Sequence, residues 1–90
     1  MNNELKEQVD PKFYGLPPRT ILMKQGPEKF IIVISRKSRI IMKDALIILK
    51  KAEKIIEKVM GASVILETNA PVCSKSIKFL NEKGIDVVSI

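Results

Sequence analysis

Ninety residues make one domain at most, and an apolar content of 46%, rich in Ile, Leu and Val, is enough to give that domain an aliphatic core. The single cysteine, Cys73, cannot close an intramolecular disulfide, histidine is missing altogether, and no apolar run approaches bilayer length. These features argue against structural zinc sites, histidine-dependent hydrolysis and membrane insertion; no metal or cofactor is expected, and a cytoplasmic location is.

The net charge of +6 belongs to residues 20 to 90, because residues 1 to 19 carry three basic and three acidic side chains. An excess of this size favours a polyanionic partner, although a lysine-rich chain also arises from genome composition or growth at high temperature. With aromatics at 4% and no Trp, stacking platforms for single-stranded bases are scarce.

Residues 1 to 19 show no sustained apolar period and end in Leu16-Pro17-Pro18-Arg19. They read as a flexible N-terminal arm, anchored to the body by Phe13 and Tyr14. Residues 20 to 90 read as a single small α/β domain. Thr20 to Lys24 and Phe30 to Ser35 are β-branched runs separated by a Gly26-Pro27 turn, which predicts a hairpin. Its second arm is apolar at every position from Phe30 to Ile34, the pattern of a central strand covered on both faces.

From about Ser38 to Met60, Ile41, Ala45, Ile48, Leu49, Ala52, Ile55, Ile56 and Val59 recur at helical spacing. Ser38 is the expected N-cap and Gly61 the expected stop, with a later start at Asp44 if the strand runs on to Met42. Lys50, Lys51, Lys54 and Lys58 fill the opposite side, where Glu53 and Glu57 are available to pair with them. Ala62 to Thr68 predicts a strand. Asn69 then caps a second helix with Pro71 in its first turn, Gly84 ends it, and Ile85 to Ile90 forms a last strand.

The order ββαβαβ predicts a two-layer α/β fold: a mostly parallel four-stranded sheet with an N-terminal antiparallel hairpin strand and two helices mainly on one face. The other face is then left partly apolar, which favours a homodimer.

In such a sheet ligands collect on the rim outside the carboxyl ends of the parallel strands. Two loops feed that rim: Arg36, Lys37, Ser38 and Arg39 with Lys43 one helical turn on, and Asn69 to Ser76, which contributes Asn69, Ser74 and Lys75. Each leads into a helix N-terminus, where unpaired N–H groups and the helix dipole favour phosphate. Cations there oppose the dipole, which costs a few tenths of a kcal/mol unless an anion compensates. The competing account of the same residues is a solvated, charged turn. No Gly-rich phosphate-binding motif is present.

Cys73 is the weak catalytic candidate. A first-turn position lowers a thiol pKa and would expose a thiolate, whereas its place in a stripe with Ile77 and Leu80 describes an inert core thiol.

Val64 to Ile90 resembles the strand, helix and strand around the active site of glutaredoxins, through Ala70-Pro71-Val72-Cys73, Phe79-Leu80, Gly84 and Ile85. The motif of that family is Cys-Pro-Tyr-Cys. Ala70 stands at the nucleophile's place and Cys73 matches the second, resolving cysteine, so the resemblance implies that the usual thiol transfer does not run. In size, charge and element order, residues 30 to 90 are also similar to Alba-type chromatin and RNA-binding proteins, which are dimeric and set cationic loops before helices. That similarity involves no shared residue string.

The leading expectation is a non-enzymatic module that binds RNA or DNA through phosphate contacts, with a second copy of the chain as a further partner. The alternatives are a thiol-dependent redox or transferase-type protein using Cys73, and a structural subunit of a homo- or hetero-oligomer.

Overall fold

The computed structural model describes residues 6–90 of the chain. Five strands and two helices follow one another: β1 (Lys6–Val9), β2 (Ile21–Gln25), β3 (Lys29–Ile34), α1 (Met42–Lys58), β4 (Ser63–Thr68), α2 (Ser74–Glu82) and β5 (Asp86–Ser89). The sheet keeps chain order, β1-β2-β3-β4-β5. β1 and β3 pair with β2 antiparallel, whereas β3–β4 and β4–β5 are parallel. The architecture is thus α/β with a five-stranded mixed sheet, rather than the four strands expected. Among the described residues no helix is long and apolar enough to cross a membrane.

The extra strand comes from the segment read as an arm. β1 has the sequence Lys-Glu-Gln-Val, which carries no apolar alternation; it joins the sheet through its backbone, and only Val9 packs against the core. After it, Asp10 accepts from the Lys12 N–H at 3.0 Å and starts a 3-10 turn over Pro11–Tyr14. Tyr14 is 9% exposed and meets Phe30 edge-on at 5.2 Å, so the anchoring role expected of it is met. Phe13 stays on the surface beneath the Lys58 ammonium, 4.7 Å from its ring centre.

Two β-α-β crossovers that step the same way along a sheet put both helices on one face. Leu22, Phe30, Ile32, Val64 and Leu66 from the strands meet Ala45, Ile48, Ala52, Ile55 and Leu80 from the helices in one cluster. The alternate strand residues face away from the helices, yet Ile31 among them is only 2% exposed. An ion pair explains the cover: Lys6 Nζ on β1 lies 2.8 Å from Glu67 Oε2 on β4. Two intervening strands at the usual ~4.8 Å spacing separate β1 from β4 by roughly 14 Å in a flat sheet. The pair closes because the sheet curls toward this face, drawing its two sides over Ile31.

The α1 start falls between its two expected positions, Ser38 and Asp44, and the α2 start falls later than predicted. α1 begins at Met42, and α2 at Ser74 rather than near Pro71. The cause is a tertiary pairing: Ile40 and Val72 form an isolated parallel bridge, with the Ile40 N–H on the Pro71 carbonyl at 2.8 Å and the Cys73 N–H on the Ile40 carbonyl at 3.1 Å. Those bonds keep both junctions extended for several residues beyond the strands. α2 ends as expected, with Gly84 at φ +82° and the Ile85 N–H returning to the Leu80 carbonyl at 2.8 Å.

Candidate functional site

The bridge that delays the helices also builds the site. It ties the loop after β3 to the loop after β4, so both helix N-termini stand side by side on the rim at the carboxyl ends of the parallel strands. Asn69 adds a second tie. Its Oδ1 accepts from the Arg36 backbone N–H at 3.1 Å, and its Nδ2 reaches Ser35 Oγ at 3.4 Å. Asn69 therefore does not cap α2, as the sequence pattern predicted; its side chain holds the neighbouring loop.

Arg36 is turned inward in the same way. Its Nε donates to the Ser38 carbonyl at 3.2 Å, and Nη2 donates to the Arg39 carbonyl at 3.1 Å and to Asp44 Oδ2 at 2.7 Å. Asp44 in turn accepts from the Ile41 N–H at 3.0 Å, completing the reciprocal half of a capping box at α1. The guanidinium is thus the frame of the loop, with Nε and Nη2 engaged by protein oxygens. Asp44 also supplies the negative charge that the cationic α1 start was expected to lack. Asp44 entered the sequence reading only as an alternative helix start and not as a partner of Arg36; at the third position of α1 it is an ordinary acidic helix-start residue.

The Asp44 carboxyl is held below its usual range, first by the hydrogen bond from Arg36, then by the Ile41 N–H, against a partial burial that acts the other way. A lowered folded-state value means that this stabilisation is complete above the unfolded value of about 3.9 and fades as pH falls through the lower, folded one. Asp44→Asn is expected to lose about 1 kcal/mol in urea denaturation at neutral pH. The difference from the unsubstituted protein should vanish in acid, once Asp44 is protonated in both folded and unfolded chains.

With Arg36 and Asn69 committed, Lys37, Ser38, Arg39, Lys43, Ser74 and Lys75 remain exposed around the rim. Arg39, Lys43 and Lys75 flank the two helix starts, and α2 has no acidic residue in its first turn. The carboxylate of Glu67, one residue before the end of β4, is engaged by Lys6.

Cys73 is the N-cap residue of α2, partly exposed, and not a core residue of the apolar stripe. Its Sγ lies 2.9 Å from Ser76 Oγ. That hydroxyl, the Ser76 and Lys75 N–H groups and the Arg39 charge all favour the thiolate, in that order of weight, and outweigh the opposing effect of burial; the thiol pKa is lowered. Iodoacetamide should accordingly label Cys73 in the native protein without denaturant, and Ser76→Ala should move the pH midpoint of labelling upward.

The lysine stripe of α1 does not pair with its own glutamates as expected. Lys54 donates to the Gly15 carbonyl at 3.2 Å and Lys58 covers Phe13, so these side chains fasten the segment before β2 to the helix. Comparison with protein-family models, with curated proteins and with solved structures returned no match to the chain.

Proposed function

We propose that the protein binds the phosphate backbone of nucleic acid through Lys37, Arg39, Lys43 and Lys75, with the Ser38 and Ser74 hydroxyls as neutral donors. The observation that carries the reading is the Ile40–Val72 bridge, which turns two separate basic loops into one surface. Two carboxylates on the elements that border the rim support it, since Asp44 and Glu67 are already paired with Arg36 and Lys6. Phosphates are then the natural counter-charge for the remaining cations.

Duplexes suit the site better than single strands. The exposed ring of Phe13 sits by Lys58 at the far end of α1, away from the rim, so base stacking has no platform there. Binding should be weak in sequence preference, with a Kd on the order of 10⁻⁵ M at physiological salt, and should tighten steeply as salt is lowered. Fluorescence anisotropy with short DNA and RNA duplexes over a salt series tests this. Affinity that does not respond to salt, or no binding at low salt, removes the proposal.

Thiol chemistry at Cys73 is the second reading, favoured by the lowered pKa of that thiol. The two make opposite predictions in one experiment. On the rim reading a bound duplex should slow alkylation of Cys73, which lies beside Lys75 and within reach of the Arg39 charge; on the thiol reading, nucleic acid leaves the rate unchanged.

A further inference from the structure

On the other side of Ser35 from the rim loops, a cleft of about 410 Å³ opens between the segment leading into β2, the end of β3 and the flank of α1. Arg19, Thr20, Ser35 and Lys51 supply its polar wall, and Pro17, Ile34 and their neighbours supply an apolar one. None of its lining residues is a carboxylate.

Two features of this wall are unexplained by the fold. Thr20 is 8% exposed, and its Oγ1 is buried with no hydrogen-bond partner, although its backbone N–H is satisfied by the Pro17 carbonyl at 3.0 Å. A buried hydroxyl is normally paired, and leaving one unpaired is costly. Lys51, on α1, is half-buried and takes part in neither of the ion pairs among the described residues, Lys6–Glu67 and Arg36–Asp44. Burial alone pulls its ammonium pKa down, with no nearby carboxylate to hold it up. A lysine, an arginine and the unpaired Thr20 hydroxyl on one cleft without an acid form a recognition set for an oxyanion. The apolar wall and a volume within the range of ligand sites add room for a small body attached to it.

We propose that this cleft binds a small organic anion, its phosphate or carboxylate head on Arg19, Lys51 and the Thr20 hydroxyl and its body against Ile34 and Pro17. The site is separate from the rim cations and does not depend on the nucleic-acid reading.

The test is a ¹H–¹⁵N titration of the full chain with adenosine 5′-monophosphate, hexanoate and inorganic phosphate in turn. At least one of the organic anions should give saturable shifts at the amides of Arg19, Thr20, Ser35 and Lys51, and the monophosphate and hexanoate arms tell a phosphate head from a carboxylate. Lys51→Met, which keeps the aliphatic stem, should weaken binding about tenfold or more. Arg19→Gln, on the exposed segment, should do the same if Lys51→Met disturbs the helix. A variant with Lys37, Arg39, Lys43 and Lys75 all changed to Ala should titrate as the unsubstituted protein does, whatever happens to its duplex binding. No saturable shift with any probe, inorganic phosphate binding as tightly as the organic anions, or affinity unchanged in both Lys51→Met and Arg19→Gln would overturn the proposal.

Discussion

Changing Lys37, Arg39, Lys43 and Lys75 together to Ala should all but abolish duplex binding at physiological salt while leaving the fold intact. Every phosphate left without its cation takes about 0.9 from the slope of log K against log salt for duplex DNA, so the four together should flatten most of the salt dependence. The fold should survive because all four side chains are exposed, and surface changes of this kind usually alter stability by no more than about 0.5 kcal/mol each. Arg36→Ala should behave differently. Its guanidinium holds the Ser38 and Arg39 carbonyls and Asp44, so its removal should lower stability and loosen the loop, with a smaller change of salt slope than any of the four exposed cations gives. A slope that falls as much in Arg36→Ala as in Arg39→Ala would make Arg36 a phosphate ligand and contradict the role of frame assigned to it.

Phe30→Ala should be the most damaging single change in the molecule. Phe30 is fully buried on the central strand, touches Tyr14 edge-on, and lies 5.9 Å beneath the Lys24 ammonium. Emptying such a position costs about 3–5 kcal/mol, a large part of the whole stability of a domain this size. In thermal denaturation that is a fall of about 15–30 °C. Ile31, the next residue, points to the face without helices, where an ordinary open sheet would make truncation cheap. Here the curl of the sheet and the Lys6–Glu67 pair bury it, and Ile31→Ala should cost about 2–5 kcal/mol, as a core residue does. A cost under about 1 kcal/mol for Ile31→Ala would mean that the two sides of the sheet do not close over it.

The parts of the fold legible in the sequence were those carried by apolar periodicity. The all-apolar run from Phe30 to Ile34 is β3, the stripe through Ala45, Ile48, Ala52 and Ile55 is the buried side of α1, and Gly84 stops α2. The parts that were not legible rest on backbone or polar pairing between distant segments. β1 carries little apolar signal because its side chains are mostly exposed and its strand bonds are made by main-chain atoms. Ser38 and Asn69 look like caps locally, but the Ile40–Val72 bridge keeps the chain extended past both, and tertiary pairing overrides the local preference.

The candidate site shows the same division. The two loops that share a rim could be named from the order of strands and helices, and Lys37, Arg39, Lys43 and Lys75 keep the exposure expected of them. Which cations are free could not be named, because that depends on where one carboxylate falls. Asp44 lies eight residues after Arg36, and only the observed helix start at Met42 brings it to the third position, where it meets both the Ile41 N–H and the guanidinium. The cleft beside Ser35 had no sequence signal at all, since Arg19 and Thr20 fall in what reads as a lead-in and Lys51 in what reads as a solvated stripe.

The nucleic-acid reading depends on the junctions after β3 and β4 acting as one surface. Mapping amide shifts of the ¹⁵N-labelled chain during titration with a short DNA duplex at low salt examines that dependence directly. Residues 37–43 and 72–75 should shift together, along a single binding curve. Shifts confined to one of the two loops, or centred on Lys50, Lys54 and Lys58 along α1, would show that the rim does not bind the duplex.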